Sequence, residues 1–365
     1  MIFCSYCIND REIRAMVEGL KNSGNCTQCG ATNASIYDTD INSVLTTVFE
    51  NLFNIYTPAT MLPVDYPRTE ITMLKDEMQT TWKIFNNLDD RQIYEIITSI
   101  CPDLYHDSPE LFDGPIGISE LYDPVYIEKH SVLKTNYWEN FVSELIRVNR
   151  FHTNHINLLI LEKICSYTRK KYEKGTIFYR GRISSSSGYN LEEMSAPPSE
   201  KSSAGRANSQ GISCLYLAND VETTIHEVRA GAFDYVAVGK FELQKDIVIV
   251  DLNNIDKISP FIETLDSVEY AINKEHLNKL NREMGKALRR SDSVLDYVPT
   301  QYVSDFIKSV NIEEEYGKYA GIEYNSTMKK KGYNLAIFYP ELFECIGVDI
   351  YYVDSLLYAT KPALF

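Results

Sequence analysis

The sequence predicts an α+β protein in three parts, and three observations predict it. Two C-x2-C pairs fall within the first 30 residues. Apolar residues then recur at helical spacing to about residue 170. Beyond about residue 175, short β-rich runs and helices follow one another without strict alternation, which argues against a doubly wound sheet. The expected parts are residues 1–33, 34–172 and 173–365, and a chain of 365 residues is long enough for two or three cores.

The first part rests on Cys4, Cys7, Cys26 and Cys29. Thiolates spaced two residues apart can reach one tetrahedral metal, and a segment this short has no other source of a core. A structural zinc is therefore expected, and four sulfur ligands leave no open position for catalysis. Between the pairs, Asp10 to Leu20 carries Ile13, Val17 and Leu20 on one helical face.

The second part reads as mostly helical. Asp38 to Asn54 places Ile41, Val44, Leu45, Val48, Phe49 and Leu52 at helical spacing. Asp89 and Asp90 open a helix through Ile93, Ile96 and Ile97 that ends near Cys101-Pro102. Pro102 to Pro124 reads as an extended connection, followed by helices over Trp138 to Arg150 and Ile156 to Tyr172.

In the third part, strands are expected at 176–180, 212–217, 235–243, 247–252, 321–324, 335–338 and 346–353. Helices are expected at 221–229, at 268–290 and from Pro299 to Ile307. The Ser-, Pro- and Gly-rich stretch 184–211 reads as a long loop, of a length that could close as a lid. No internal repeat is visible.

Composition narrows the function. The net charge of −15 opposes a general nucleic-acid binder, although a local arginine cluster can still hold a small anion. No apolar run reaches membrane-span length. Met1 to Asp10 lacks the basic and apolar regions of a signal peptide, so a cytoplasmic protein is expected. Cys101, Cys165, Cys214 and Cys345 stand in apolar settings and read as buried thiols rather than disulfides.

The residues that suggest chemistry run from Phe178 to Arg229. They comprise Tyr179-Arg180-Gly181-Arg182, Gly205-Arg206-Ala207-Asn208, Leu215-Tyr216-Leu217-Ala218 and Thr223-Thr224-Ile225-His226-Glu227. Pro299-Thr300-Gln301-Tyr302, Gly321-Ile-Glu-Tyr-Asn-Ser326 and Asn334-Leu-Ala-Ile-Phe338 follow. Two guanidinium groups, one at a strand end and one in a glycine loop, suit a pyrophosphate. Tyr216 is placed to stack on a flat base. A helical carboxylate, Glu227, would stabilise positive charge on an anomeric carbon, and Ser326 would bond an amide. His226 adjoins Glu227 but points elsewhere on a helix, and reads as structural.

This series resembles the RES domain family, named for an Arg, a Glu and a Ser, over roughly residues 175–340. The resemblance implies a fold similar to ADP-ribosyltransferases and a toxin, or anti-phage effector, that consumes NAD+ by splitting the nicotinamide–ribose bond. It implies water or phosphate as acceptor, and catalytic Arg180, Arg206, Glu227 and Ser326. Tyr216, Arg182 and Asn208 would contact the substrate, with Arg182 an alternative for the first arginine. An antitoxin or sensor protein would restrain the activity, and a homodimer is implied by the small members. Ala207 departs from the aromatic residue that many members carry after Gly-Arg.

The N-terminal half is similar to the zinc-knuckle and HEPN-like region that precedes RES domains in longer members. HEPN ribonucleases carry an Arg-x4–6-His motif, met here by Arg147/His152 and Arg150/His155. That leaves an RNA-processing module as one alternative function. Transfer of ADP-ribose to a macromolecule is another. The acidic run Glu313–Glu315 and the basic run Lys329–Lys331 read as solvated loops, the latter close enough to Ser326 to attract an anion.

Overall fold

The computed structural model describes residues 1–135, 137–286, 293–312 and 316–357. The run Glu313–Glu315 and the last residues of the helix expected to reach Arg290 lie outside the described residues. The chain divides into two compact units: residues 1–136 with 256–274, and residues 137–255 with 275–365.

In the first unit, strand Ile2–Cys4 pairs with strand Ala34–Asp38, and helix Arg11–Gly19 is capped by the Asp10 carboxylate. That carboxylate accepts the backbone N–H groups of Glu12 and Ile13 at 3.0 Å each. The helix expected over 38–54 is shorter than its periodicity suggested. Ala34–Asp38 is a strand, the helix covers only Thr46–Phe53, and Ile41 and Val44 are exposed. The Tyr37 hydroxyl donates to the carbonyl of Asn42 at 2.8 Å, which fixes a turn where the helix would have begun. Helix Asp90–Ile100 follows the expectation, with a capping box between Asp89 and Gln92 and with Ile93, Ile96 and Ile97 buried.

Pro102 to Pro124 is not extended. Pro102 and Pro109 each open a short helix, Pro102–Asp107 and Pro109–Asp113. Proline is well suited to the first helical turn, because the N–H it lacks would have no intrahelical partner there. A three-stranded sheet of Thr57–Pro58, Pro115–Gly117 and Thr72–Met73 was also not expected.

The second unit is built on an eight-stranded mixed sheet. Helices α1 (Trp138–Arg147) and α2 (Leu158–Tyr167) precede it. Its strands are β1 (Arg169–Tyr172), β2 (Ile177–Ser184), β3 (Leu215–Ala218), β4 (Tyr235–Leu243), β5 (Ile247–Asp251), β6 (Gly321–Asn325), β7 (Tyr333–Ile337) and β8 (Phe343–Tyr352). Helix α3 (Val221–Glu227) follows β3, and α4 (Ser267–Gly285) and α5 (Val298–Ser309) lie between β5 and β6 in sequence. The strand order is β8-β4-β2-β3-β7-β6-β5-β1, with β5 and β6 parallel and the other pairs antiparallel. β2 and β3 are bridged only at Tyr179↔Ala218, so the two halves of the sheet join at one point and then diverge.

The pleat gives the sheet two chemically distinct faces. Phe178, Leu215, Leu217, Ala237, Ile249, Leu335 and Ile337 share one apolar cluster on the first face. Val236 and Val238 face the other way, against Tyr179 and against Val221, Ile225 and Val228 of α3 and its C-terminal cap. Gly181 makes that packing close: a Cβ there would come within 2.7 Å of the Thr224 Cγ2 and 3.3 Å of its carbonyl oxygen.

At the β1 edge of the first face, Lys170 Nζ lies 2.9 Å from buried Glu323 and 3.6 Å from buried Asp251. The Tyr172 hydroxyl donates to Glu323 at 2.5 Å. Burial would lower the Lys170 pKa, but the hydrogen bond and charge of Glu323, with Asp251, raise it.

Candidate active site

The Gly-Arg loop is held by its neighbours through its backbone. The Tyr216 hydroxyl donates to Asn208 Oδ1 at 2.7 Å and accepts the Ala207 N–H at 3.0 Å. The Asn208 amide donates to the carbonyls of Ser203, Ser209 and Ile212 at 3.0, 3.1 and 2.8 Å. Thr300 donates to the Arg206 carbonyl at 2.8 Å, and Gln301 to the carbonyls of Gly205 and Asn208 at 2.8 and 3.0 Å. Gly205 has no room for a side chain, since a Cβ would lie 2.5 Å from both Asn208 Oδ1 and the Tyr216 hydroxyl. Asn208 and Ala207 are buried.

Arg206 projects from this loop toward the end of α4. Its Nη1 donates to the Glu283 carbonyl at 2.7 Å, and its guanidinium lies 5.3 Å from the centroid of the Tyr297 ring. A cation at a helix C-terminus is favourably placed. One of its five N–H donors is used in that contact, which leaves others for a ligand. Thr327 donates to the Gly285 carbonyl at 2.6 Å, so the same helix end also anchors the segment after β6.

Glu227 is the last residue of α3 and is exposed. Its Oε1 accepts from Ser326 Oγ at 2.5 Å and from Asn334 Nδ2 at 2.9 Å. Both donors engage one carboxylate oxygen. Oε2 has no hydrogen-bond partner among the described residues. Ser326 Oγ also accepts the N–H groups of Met328 and Lys329 at 3.2 and 3.3 Å, so its own proton is directed at Glu227. The structure thus brings Ser326 to Glu227.

Arg180 and Arg182 are not brought to Glu227. Both alternate with Gly181 on β2 and, like Phe178, belong to the first face, paired with Gly239 and Ala237. Asn334 pairs with Ala218 and Tyr324, on the second face with Tyr179. Arg180 Nη1 donates to the carbonyls of Met194 and Ser195 at 3.0 and 2.5 Å, and Arg182 donates to the carbonyl of Glu193. The Arg182 guanidinium lies 4.2 Å from the Tyr189 ring centroid. These arginines bind down the first half of the long 184–211 loop, whose Met194 is fully buried. Burial and then the charge of Arg182 lower the Arg180 pKa to about 10, which leaves it charged at neutral pH.

Other residues singled out in the sequence take plainer places. His226 is exposed, 3.9 Å from Glu222 one turn earlier. Lys329 is bound by Asp220 at 3.0 Å and Glu222 at 2.8 Å. α1 ends at Arg147, so His152 and His155 fall in the loop after it rather than on its face. The His155 ring faces the Asn140 carbonyl at 3.4 Å. Cys101, Cys165 and Cys214 are buried, and burial pushes each thiol up to about 12.

Asn334 and Tyr324 are the site residues that carried no assignment from sequence. Their signal was alternation: each stands one step from a buried residue of the first face, Glu323 or Leu335.

The four N-terminal cysteines converge as a separate centre. Sγ–Sγ separations are 3.9 Å (Cys4–Cys7), 3.5 Å (Cys4–Cys29) and 3.6 Å (Cys7–Cys26). A tetrahedron with metal–sulfur bonds of about 2.3 Å has edges of about 3.8 Å, so the four residues fit one ion. The Gln28 and Cys29 N–H groups point at Cys26 Sγ, each at 3.4 Å. Burial opposes ionisation of Cys26, but those N–H groups and the neighbouring thiols bring its pKa down to about 7. A second group of metal-type donors, His130, Asp266 and Glu269, lies in the same unit. Its contacts include a His130–Glu269 pair at 3.2 Å and an Asp266 cap on α4.

Residues 181–354 match the family model described as RES domain. This stretch, just under half of the chain, is similar to a RES domain. The match takes in Arg182, Arg206, Tyr216, Glu227 and Ser326, and begins one residue after Arg180. No curated protein and no solved structure matches the chain. Among the described residues, no helix is long and apolar enough to cross a membrane.

Proposed function

We propose that the RES-like domain cleaves the nicotinamide–ribose bond of NAD+. The observation that carries this reading is the state of Glu227: one oxygen is held by Ser326 and Asn334, and the other has no hydrogen-bond partner among the described residues. Arg206 of the glycine loop supplies the charge for a phosphate. In the reaction the C1′–N bond breaks, and its electron pair returns to the pyridinium nitrogen, so that neutral nicotinamide leaves. The positive charge that develops on the ribose carbon is countered by the Glu227 carboxylate. The acceptor then adds to C1′ and loses its proton. Water gives ADP-ribose, and inorganic phosphate gives its 1″-phosphate.

In this reading Ser326 and Asn334 orient Glu227, Arg206 binds the pyrophosphate, and Tyr216 and Asn208 shape the loop. Arg180 and Arg182 fix the loop on the opposite face. We further propose zinc as the ion of the four cysteines, with a structural role. A toxin of this kind needs restraint, by an antitoxin or sensor protein. Supporting this reading are the family match and the anchored carboxylate together.

The test is product analysis of purified protein incubated with NAD+, with and without phosphate. Nicotinamide release that is lost in Glu227→Gln supports the reading, and the nucleotide product identifies the acceptor. Release that persists in Glu227→Gln, or no release at all, overturns it. Transfer of labelled ADP-ribose to a macromolecule would replace water or phosphate as the acceptor. RNA cleavage lost in His152→Ala or His155→Ala, but kept in Glu227→Gln, would move the activity to the N-terminal half.

A further inference from the structure

Tyr324 stands in the middle of the second face. The register Ala218↔Asn334↔Tyr324 puts it directly across from the asparagine that holds Glu227. The adjacent row, Tyr216↔Ala336↔Ile322, carries the tyrosine that supports the Arg206 loop. Tyr324 is therefore flanked by the two groups that would hold the two ends of the nicotinamide nucleotide. It is buried, at 5 % exposure. Its hydroxyl has no hydrogen-bond partner among the described residues, whereas the Tyr216 hydroxyl both donates and accepts.

The ring is buried, while the hydroxyl is not among the buried polar atoms that lack a partner, so this oxygen is reachable from solvent and open to a ligand. We propose that the Tyr324 hydroxyl contacts the substrate, donating a hydrogen bond to an oxygen between the phosphate held by Arg206 and the ribose faced by Glu227. This assignment rests on the reading that the site takes NAD+. Burial first, and then the charge of Glu227, raise the phenol's pKa, with Arg206 acting in the opposite sense. The group accordingly stays protonated at working pH, which makes it a donor and not a base.

Tyr324→Phe is the test, with nicotinamide release and ADP-ribose binding to the Glu227→Gln protein as readouts. The variant keeps the ring and removes an oxygen that the fold does not use. Its thermal midpoint is therefore expected to match the unsubstituted protein. Both KM for NAD+ and Kd for ADP-ribose are expected to rise about 10-fold, in line with one lost ligand hydrogen bond. The pH profile is expected to keep its shape. A lowered midpoint would show that the hydroxyl is paired within the protein, and would overturn the proposal. So would unchanged KM and Kd in a protein whose activity still needs Glu227, leaving the NAD+ reading intact. If the unsubstituted protein neither cleaves NAD+ nor binds ADP-ribose, the NAD+ reading fails and this assignment falls with it.

Discussion

Two donors on one oxygen make Glu227 a measurable device. Asn334→Ala removes the 2.9 Å amide donor, and Ser326→Ala removes the 2.5 Å hydroxyl donor. A hydrogen bond to a charged acceptor contributes about 1.5–3 kcal/mol. If that energy keeps the other oxygen aimed at the ribose carbon, each loss lowers kcat by roughly 10- to 150-fold. The singles should fall at the lower end, because the remaining donor still restrains the same oxygen. The double variant should lose more than the product of the singles, the non-additivity expected of residues sharing one partner. Single-turnover nicotinamide release on the four proteins measures this, with thermal midpoints as folding controls. Ser326 also accepts two backbone N–H groups, so Asn334→Ala is the cleaner probe. A double variant that retains the full rate, alongside an inactive Glu227→Gln, would refute the reasoning.

Native mass spectrometry should find one zinc per chain, lost in Cys7→Ser or Cys26→Ser, and chelation should melt the first unit, since metal binding there supplies folding free energy. Retention of the ion in both variants would count against the four-cysteine site. Gly181→Ala should cost about 1–3 kcal/mol, because its Cβ meets Thr224 at 2.7 Å on a helix that cannot shift without displacing Glu227. Denaturant unfolding and nicotinamide release should therefore fall together, and a stable, active variant would disprove this link.

Much of the secondary structure and the four-cysteine cluster were legible in the sequence. Cysteine spacing is a local property, and so the knuckle was legible. The capped helix at Asp89, the strands from 235 to 252, and helix α3 with Glu227 at its end were legible for the same reason: their periodicity and caps lie within a few residues. Where periodicity competed with local hydrogen bonds it misled, as at Asp38–Asn42. Proline-rich spacing misled too, since Pro102 and Pro109 open helices rather than keep the chain extended.

Which residues meet depends on pairing between segments far apart in the chain. The fold brings residues 256–274 back to the first unit, although they lie between two segments of the second. It puts Ser326 and Asn334 on one oxygen of Glu227, 99 and 107 residues away. Arg180 and Arg182 read as phosphate ligands because their strand and their order were right. The side a strand residue faces depends on its register with its neighbours, and the pairing with Gly239 and Ala237 turns both arginines to the face away from Glu227. Pairing across a sheet is a non-local property, and one step along a strand reverses the face. The pleat of the sheet sets Tyr324 and Asn334 side by side on the face of Tyr216, and the turn after β6 brings Ser326 to Glu227.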